Sequence, residues 1–86
     1  MESLRTSILK IVDRLSEHDR QKLHFYLLNH VPRQISDNHS LQGTLNLMQS
    51  LFDQGKVSEQ NPSILIDAFV NIKFYEGLQI LEGIYH

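Results

Sequence analysis

Asn61–Pro62 and the stretch after it decide what class of fold this chain can adopt. Ser63 to Ile72 reads in two ways. Ile64, Ile66, Ala68, Val70 and Ile72 alternate as a strand would, and β-branched residues favour that reading. Ile64, Leu65, Ala68, Phe69 and Ile72 fit one face of a helix equally well. Asparagine suits the capping position of a helix, and proline suits its first residue, where a missing N–H is no loss. A strand here would also have nothing to pair with, since no other segment offers a partner. The start signal therefore predicts a helix, and with it an all-α chain.

The other segments agree. Leu4, Ile8, Ile11, Val12 and Leu15 recur at helical spacing and predict a first helix over about Ser3 to Arg14. Ser16 is the expected cap of a second helix, with Glu17 and Asp19 placing negative charge in its first turn. Ser16 and Asp19 together resemble a capping box in its aspartate form. This helix is expected to run through Leu23, Tyr26, Leu27 and His30 until Pro32 stops it. Pro32 to Ser40 is polar apart from Ile35 and reads as a short helical turn or a loop. Ser40 then caps a fourth helix whose buried face is expected at Leu41, Thr44, Leu45, Met48, Leu51 and Phe52. Gly55 supplies its left-handed stop. Gly43, inside that helix, should cost about 1 kcal/mol relative to alanine. Leu78, Leu81, Ile84 and Tyr85 mark a last helix from about Tyr75, weakened by Gly77 and Gly83. The fold expected is an all-α, six-helix antiparallel bundle.

A chain of 86 residues fits one domain, residues 1–86. Without cysteine it can form no disulfide, zinc-thiolate site or thiol nucleophile. No apolar run approaches the ~18 residues needed to cross a bilayer, and the N-terminus lacks the layout of a signal peptide. Eight basic and ten acidic residues are mixed along the chain, for a net charge of −2. Nucleic-acid binders need a basic face to neutralise phosphate, and no Lys/Arg cluster here provides one. Neither a nucleic-acid nor a membrane partner is expected.

No catalytic or cofactor-binding constellation is legible. The five histidines are His18, His24, His30, His39 and His86. None has the i, i+4 partner with an intervening glutamate that a helical zinc site uses. His24 and His30 point about 120° apart. They are expected at the surface or half-buried, with no metal. The four glycines are too scattered to cradle a phosphate. A helical nucleic-acid-binding domain turning at Pro32 would need a basic recognition helix, and only Arg33 follows. Nothing argues for a small enzyme.

A second apolar stripe on the second helix is more informative. At 100° per residue, Leu23, Tyr26, Leu27 and His30 share one side, while Phe25 and Leu28 project to the other beside Gln21. An apolar pair opposite the core face is either covered by another helix or exposed as a docking patch. Leu28 suits the first role and Phe25 the second, since exposed aromatics anchor interfaces.

Leu15 to Val31, Leu-Ser-Glu-His-Asp-Arg-Gln-Lys-Leu-His-Phe-Tyr-Leu-Leu-Asn-His-Val, resembles the second helix of the death effector domain family. Leu41 to Val57, ending in Gln54-Gly55-Lys56-Val57, is similar to that family's fourth helix and its end. The order and spacing of all six segments agree, so the resemblance covers nearly the whole chain. The family has an Arg-x-Asp-Leu motif at the start of its sixth helix, forming a surface charge triad with an acidic residue on the second. Asp19 matches the acidic partner. The later stretch here is Phe74-Tyr75-Glu76-Gly77: Glu76 stands for the aspartate, but Phe74 replaces the arginine. Lys73, one residue early, offers charge without the forked guanidinium.

The resemblance implies a cytoplasmic, non-enzymatic module of the death-fold type that needs no cofactor. Its implied partners are other death-effector-like domains, copies of itself included, and adaptor or caspase-type proteins in apoptotic or inflammatory signalling. Asymmetric contacts that do not close on themselves give open filaments. Phe25, Tyr26, Asp19, Lys73 and Glu76 are the implied interaction residues. A caspase-recruitment, pyrin or death domain would share the plan with a different partner class. The Leu-x-Phe-Tyr pattern of the second helix favours the effector branch.

Overall fold

Four helices of this protein start where a short polar side chain takes up a free backbone N–H group. The computed structural model describes residues 3–85. Ser3 Oγ accepts from the Thr6 N–H (3.1 Å) and opens α1, Leu4–Arg14. Ser16 Oγ accepts from the Asp19 N–H (3.0 Å) and opens α2, Glu17–Tyr26. Ser40 Oγ accepts from the Gly43 N–H (3.0 Å) and opens α4, Leu41–Asp53. Between them lies α3, the single turn Arg33–Ser36. At the fifth helix Asn61 Oδ1 accepts from both the N–H (3.2 Å) and the hydroxyl (2.7 Å) of Ser63. The helix so opened, α5, spans Ser63–Asn71, one residue later than the Asn-Pro signal implied, with Pro62 in the capping position. The ambiguous segment is thus helical. The last helix, α6, spans Tyr75–Tyr85. Among the described residues there is no β-strand, only an isolated bridge between Ser58 and Asn61.

The six helices form a bundle around one core. Leu4, Ile8, Ile11, Val12 and Leu15 turn the apolar face of α1 onto α4 and α6. From α2 comes Leu23 and from the residue that ends it Leu27, from α5 Leu65, Ala68 and Phe69, and from α6 Leu81. In the second element, α2 packs on α4 and α5, and α3 lies on α4.

Two boundary expectations are corrected. The α-helical part of α2 ends at Tyr26, not His30; Leu28–His30 form a 3-10 turn in which the His30 N–H reaches the Leu27 carbonyl (2.9 Å). The chain must be extended at Val31 (φ −139, ψ 158) to enter Pro32, and the tighter turn lets it leave the helix early. The buried stripe of α4 is centred on Thr44, Leu47, Met48 and Leu51, so Leu47 belongs to the core while Leu41 is exposed. Gly43 earns its place by packing: a Cβ there would lie 2.0 Å from the Asn38 carbonyl oxygen. The modest loss of helix propensity is outweighed by this close approach of the 37–40 connection to α4.

Candidate functional site

The site begins with the geometry of α2. Leu23, His24 and Leu27 face inward, and at 100° per residue this places Phe25 nearly opposite them. Phe25 is 79% exposed and Tyr26 40% exposed, while Leu28 is half-buried. Across from them the end of α5 contributes Asn71, Ile72 and Lys73. Together with Gln21 and Lys22 these residues line an open groove of about 560 Å3. The Tyr26 hydroxyl accepts from the Asn71 amide (3.2 Å), tying the two walls. Lys22 Nζ donates to the Ile72 carbonyl (3.2 Å) and lies 3.6 Å from Asp19 Oδ1. That carbonyl is at the C-terminal end of α5, where the helix dipole favours a cation.

Lys73 sits where it does because of how α5 stops. The Phe74 N–H reaches back to the Phe69 carbonyl (2.9 Å) and the Lys73 N–H to the Val70 carbonyl (3.2 Å). This is the paired arrangement of a Schellman ending, completed by the edge-to-face contact of Phe74 with Phe69 (5.3 Å between ring centres). It forces Lys73 into the left-handed region, φ +61. The ending of α4 is built the same way, the Lys56 N–H to the Leu51 carbonyl and the Gly55 N–H to the Phe52 carbonyl (3.0 Å each), with Gly55 at φ +73.

The sequence-derived charge residues are spread apart. Phe74, standing where the triad arginine was sought, is a core residue. Glu76 pairs with Arg14 of α1, and Asp19 with Lys22 on its own helix. Among the described residues no ion pair joins Asp19, Lys73 and Glu76. Phe25, Tyr26 and Lys73 do meet, in the groove. Its lining carries two ammonium groups, an aromatic surface and side-chain amides, and no carboxylate or imidazole. That set offers apolar contact, hydrogen bonding and positive charge.

His24, expected near the surface, is fully buried. Its Nδ1 is 3.0 Å from the Ser36 carbonyl and its Nε2 2.9 Å from Thr44 Oγ1, so it fastens α2 to α3 and α4. The carbonyl can only accept, which puts the neutral ring's proton on Nδ1 and leaves Nε2 to accept from the Thr44 hydroxyl. Burial holds its pKa below the ordinary imidazole value; the hydrogen bond to the Ser36 carbonyl opposes this, and His39 and then Arg20 add smaller lowering effects. His39 lies edge-on, 4.8 Å away. Among the described residues no group of three or more His, Asp or Glu side chains could hold a metal ion, and no helix is long and apolar enough to cross a membrane. His86 lies outside the described residues.

Sequence reasoning named Phe25, Tyr26 and Lys73 of the groove and missed Lys22, Asn71 and Ile72. The signal that points to the α5 side is a lysine followed by phenylalanine where a helix stop calls for glycine. A scan against protein-family models, a search of curated proteins and a search of solved structures each returned no match.

Proposed function

We propose that this protein is a homotypic interaction module, a six-helix antiparallel bundle of the death-fold type that binds other death-effector-like domains, copies of itself included. The observation that carries the reading is Phe25: an aromatic side chain 79% exposed at the mouth of a groove, held there by a well-packed helix. An exposed aromatic beside a concave apolar surface is what a protein interface uses as its anchor. The likeness of Leu15–Val31 and Leu41–Val57 to the death effector domain family supports the same reading. In it the protein acts as a cytoplasmic adaptor or oligomerisation domain in apoptotic or inflammatory signalling, with no catalytic step and no cofactor. Phe25 and Tyr26 form the apolar centre and Lys73 the charged lip, while Asp19, beside Lys22, and Glu76, paired with Arg14, stand outside the lining.

A groove on one copy that receives a different face of the next is a heterologous contact. Repeated, it grows an open filament rather than a closed ring or dimer. Light scattering over a concentration series, with negative-stain electron microscopy on the same samples, tests this. Oligomers or filaments are expected to grow with concentration in the wild type and to vanish in Phe25→Asp. Circular dichroism of that variant should be unchanged, because so exposed a side chain contributes little to the core. Assemblies that persist in Phe25→Asp would take Phe25 out of the interface, and a strict monomer at millimolar concentration would remove self-assembly as the protein's role.

A further inference from the structure

The segment that crosses from α2 to α4, residues 32–38, is pinned at both ends and latched in the middle by a side chain that can change its charge. Before it, the His30 carbonyl accepts from Gln54 Nε2 (2.8 Å) and Lys56 Nζ (3.1 Å). After it, the His39 carbonyl accepts from Arg20 Nε (2.8 Å), whose guanidinium also reaches the Leu15 carbonyl (3.1 Å). An amide, an ammonium and a guanidinium keep donating at any pH near neutrality. Between these pins, one side-chain hydrogen bond reaches the segment from another helix among the described residues, from His24 Nδ1 to the Ser36 carbonyl (3.0 Å). The segment's own apolar anchor, Ile35, is only half-buried.

The latch suits a neutral ring. Its Nε2 accepts from the Thr44 hydroxyl (2.9 Å), and a second proton turns that acceptor into a donor, so the hydroxyl must give up the bond it made. The charge so formed is fully buried. It faces Arg20 from α2, His39 from the connection, the Ser36 carbonyl from α3 and the Thr44 hydroxyl from α4. No carboxylate is among the charged groups that act on it. A buried charge without a counterion is costly, and water that reaches the ring removes most of that cost. We propose that residues 32–38 form an acid-released flap, which lifts from α2 and α4 when His24 is protonated and stays tethered at His30 and His39 while the rest of the bundle remains folded. Opening frees the Ser36 carbonyl and bares His24 and Thr44, both fully buried in the closed form. The device is independent of the docking reading, since no residue that lines the Phe25 groove belongs to the flap or its latch.

Amide exchange on the isotopically labelled chain, from about pH 7.5 to about pH 5, brackets the ordinary histidine titration and tests this. The N–H groups of Ile35, Ser36, Asp37 and Asn38 all bond to carbonyls between Pro32 and Ile35, so their protection reports opening of the flap itself. Below about pH 6.5 the open form takes up the proton first, and protection at these four amides should fall by up to about tenfold per pH unit. Amides of α1 and α5 should lose less over the same range. The ring resonances of His24 should titrate in step with the loss. His24→Gln retains a donor and an acceptor but has no proton to gain, and its flap should stay as protected in acid as at neutrality. His39→Gln, which leaves the latch in place, should keep the acid response. Flap protection that is flat with pH, that falls no more than in α1 and α5, or that falls equally in His24→Gln would overturn the proposal. So would loss of the response in His39→Gln, because the exposed histidine would then be the trigger. Should His24→Gln not fold, the wild-type ring decides. A ring that titrates while the flap stays protected, or a flap that opens while the ring stays neutral, overturns the proposal, and the two moving together supports it.

Discussion

Lys73 and Gly55 fill the same position in the same helix-ending motif, at φ +61 and +73. Only one of them is a residue that adopts this conformation freely. Lys73→Gly is therefore expected to stabilise the protein by about 1 kcal/mol. In a domain of this size that raises the thermal midpoint by about 4–8 °C, and a melting curve followed by circular dichroism measures it. An unchanged or lower midpoint would mean that the lysine stem supports the fold by packing. At this scale the sequence was legible where position on a helix settles exposure. Phe25 could be placed outside because Leu23 and Leu27 place the inside. His24 could not be read, because a polar side chain goes inward only if its partners are there to meet it. Those partners, the Ser36 carbonyl and the Thr44 hydroxyl, stand 12 and 20 residues away in the chain.

The element most exposed to that histidine is α3, a single turn with little of its own to hold it. Four residues form too short a helix to persist alone. It stays because it lies on α4 and because His24 bonds its last carbonyl. The titratable and charged groups around the ring are His39 and Arg20, both of which disfavour a second positive charge. The folded pKa is lowered, so above about pH 6.5 the ring is neutral in folded and unfolded chains alike, and the full stability is present. As the pH falls below that value the unfolded chain takes up the proton first, and stability declines until the folded pKa is reached. The slope for one such group is at most about 1.4 kcal/mol per pH unit. Urea midpoints from pH 8 to pH 5, with amide exchange as the local probe, should show a decline that starts near pH 6.5 and exchange that quickens first in residues 33–40. A flat profile would show that the buried ring accepts its proton without strain. Pro32 announced the break before α3. Whether a turn or a loop would follow depended on the contact with α4, which no local pattern encodes.

At the scale of the molecule, the accessible surface is 5236 Å2 for 10.0 kDa. The scaling for folded monomers gives about 5200 Å2 at that mass. The chain is thus packed as tightly as folded monomers of its mass usually are. Its ends are joined by Glu59, in the connection between α4 and α5. The Glu59 carboxylate accepts from the Leu4 N–H (2.8 Å) and the Arg5 N–H (3.2 Å) at the start of α1. Its backbone carbonyl accepts from the Tyr85 hydroxyl (2.7 Å) near the end of α6. Partial burial, with the Glu59 charge beside it, pushes the Tyr85 pKa up, so the phenol stays protonated and keeps donating. The first turn of α1 has no acidic residue of its own, and Glu59 supplies that charge from across the molecule. Glu59→Gln leaves one acceptor oxygen and turns an amide N–H toward a donor. It should cost about 1 kcal/mol, a fall of about 4–8 °C in the melting temperature. Exchange should rise at the N-terminal turn of α1. A midpoint unchanged by the substitution would leave Ser3 as the sole effective cap.

Apart from α3, the helices themselves were written locally. Ser3, Ser16, Ser40 and Asn61 cap within three residues of the N–H groups they meet, and apolar spacing fixes which side of each helix seeks cover. Such interactions need no distant partner, so a linear chain displays them. It was the tertiary structure that paired Glu76 with Arg14 and Asp19 with Lys22, drew Phe74 into the core, and closed the groove by bringing the end of α5 to α2. Each of these depends on which helices become neighbours. That is settled by the packing of several faces at once, so the charges at the surface take the partners that packing leaves within reach.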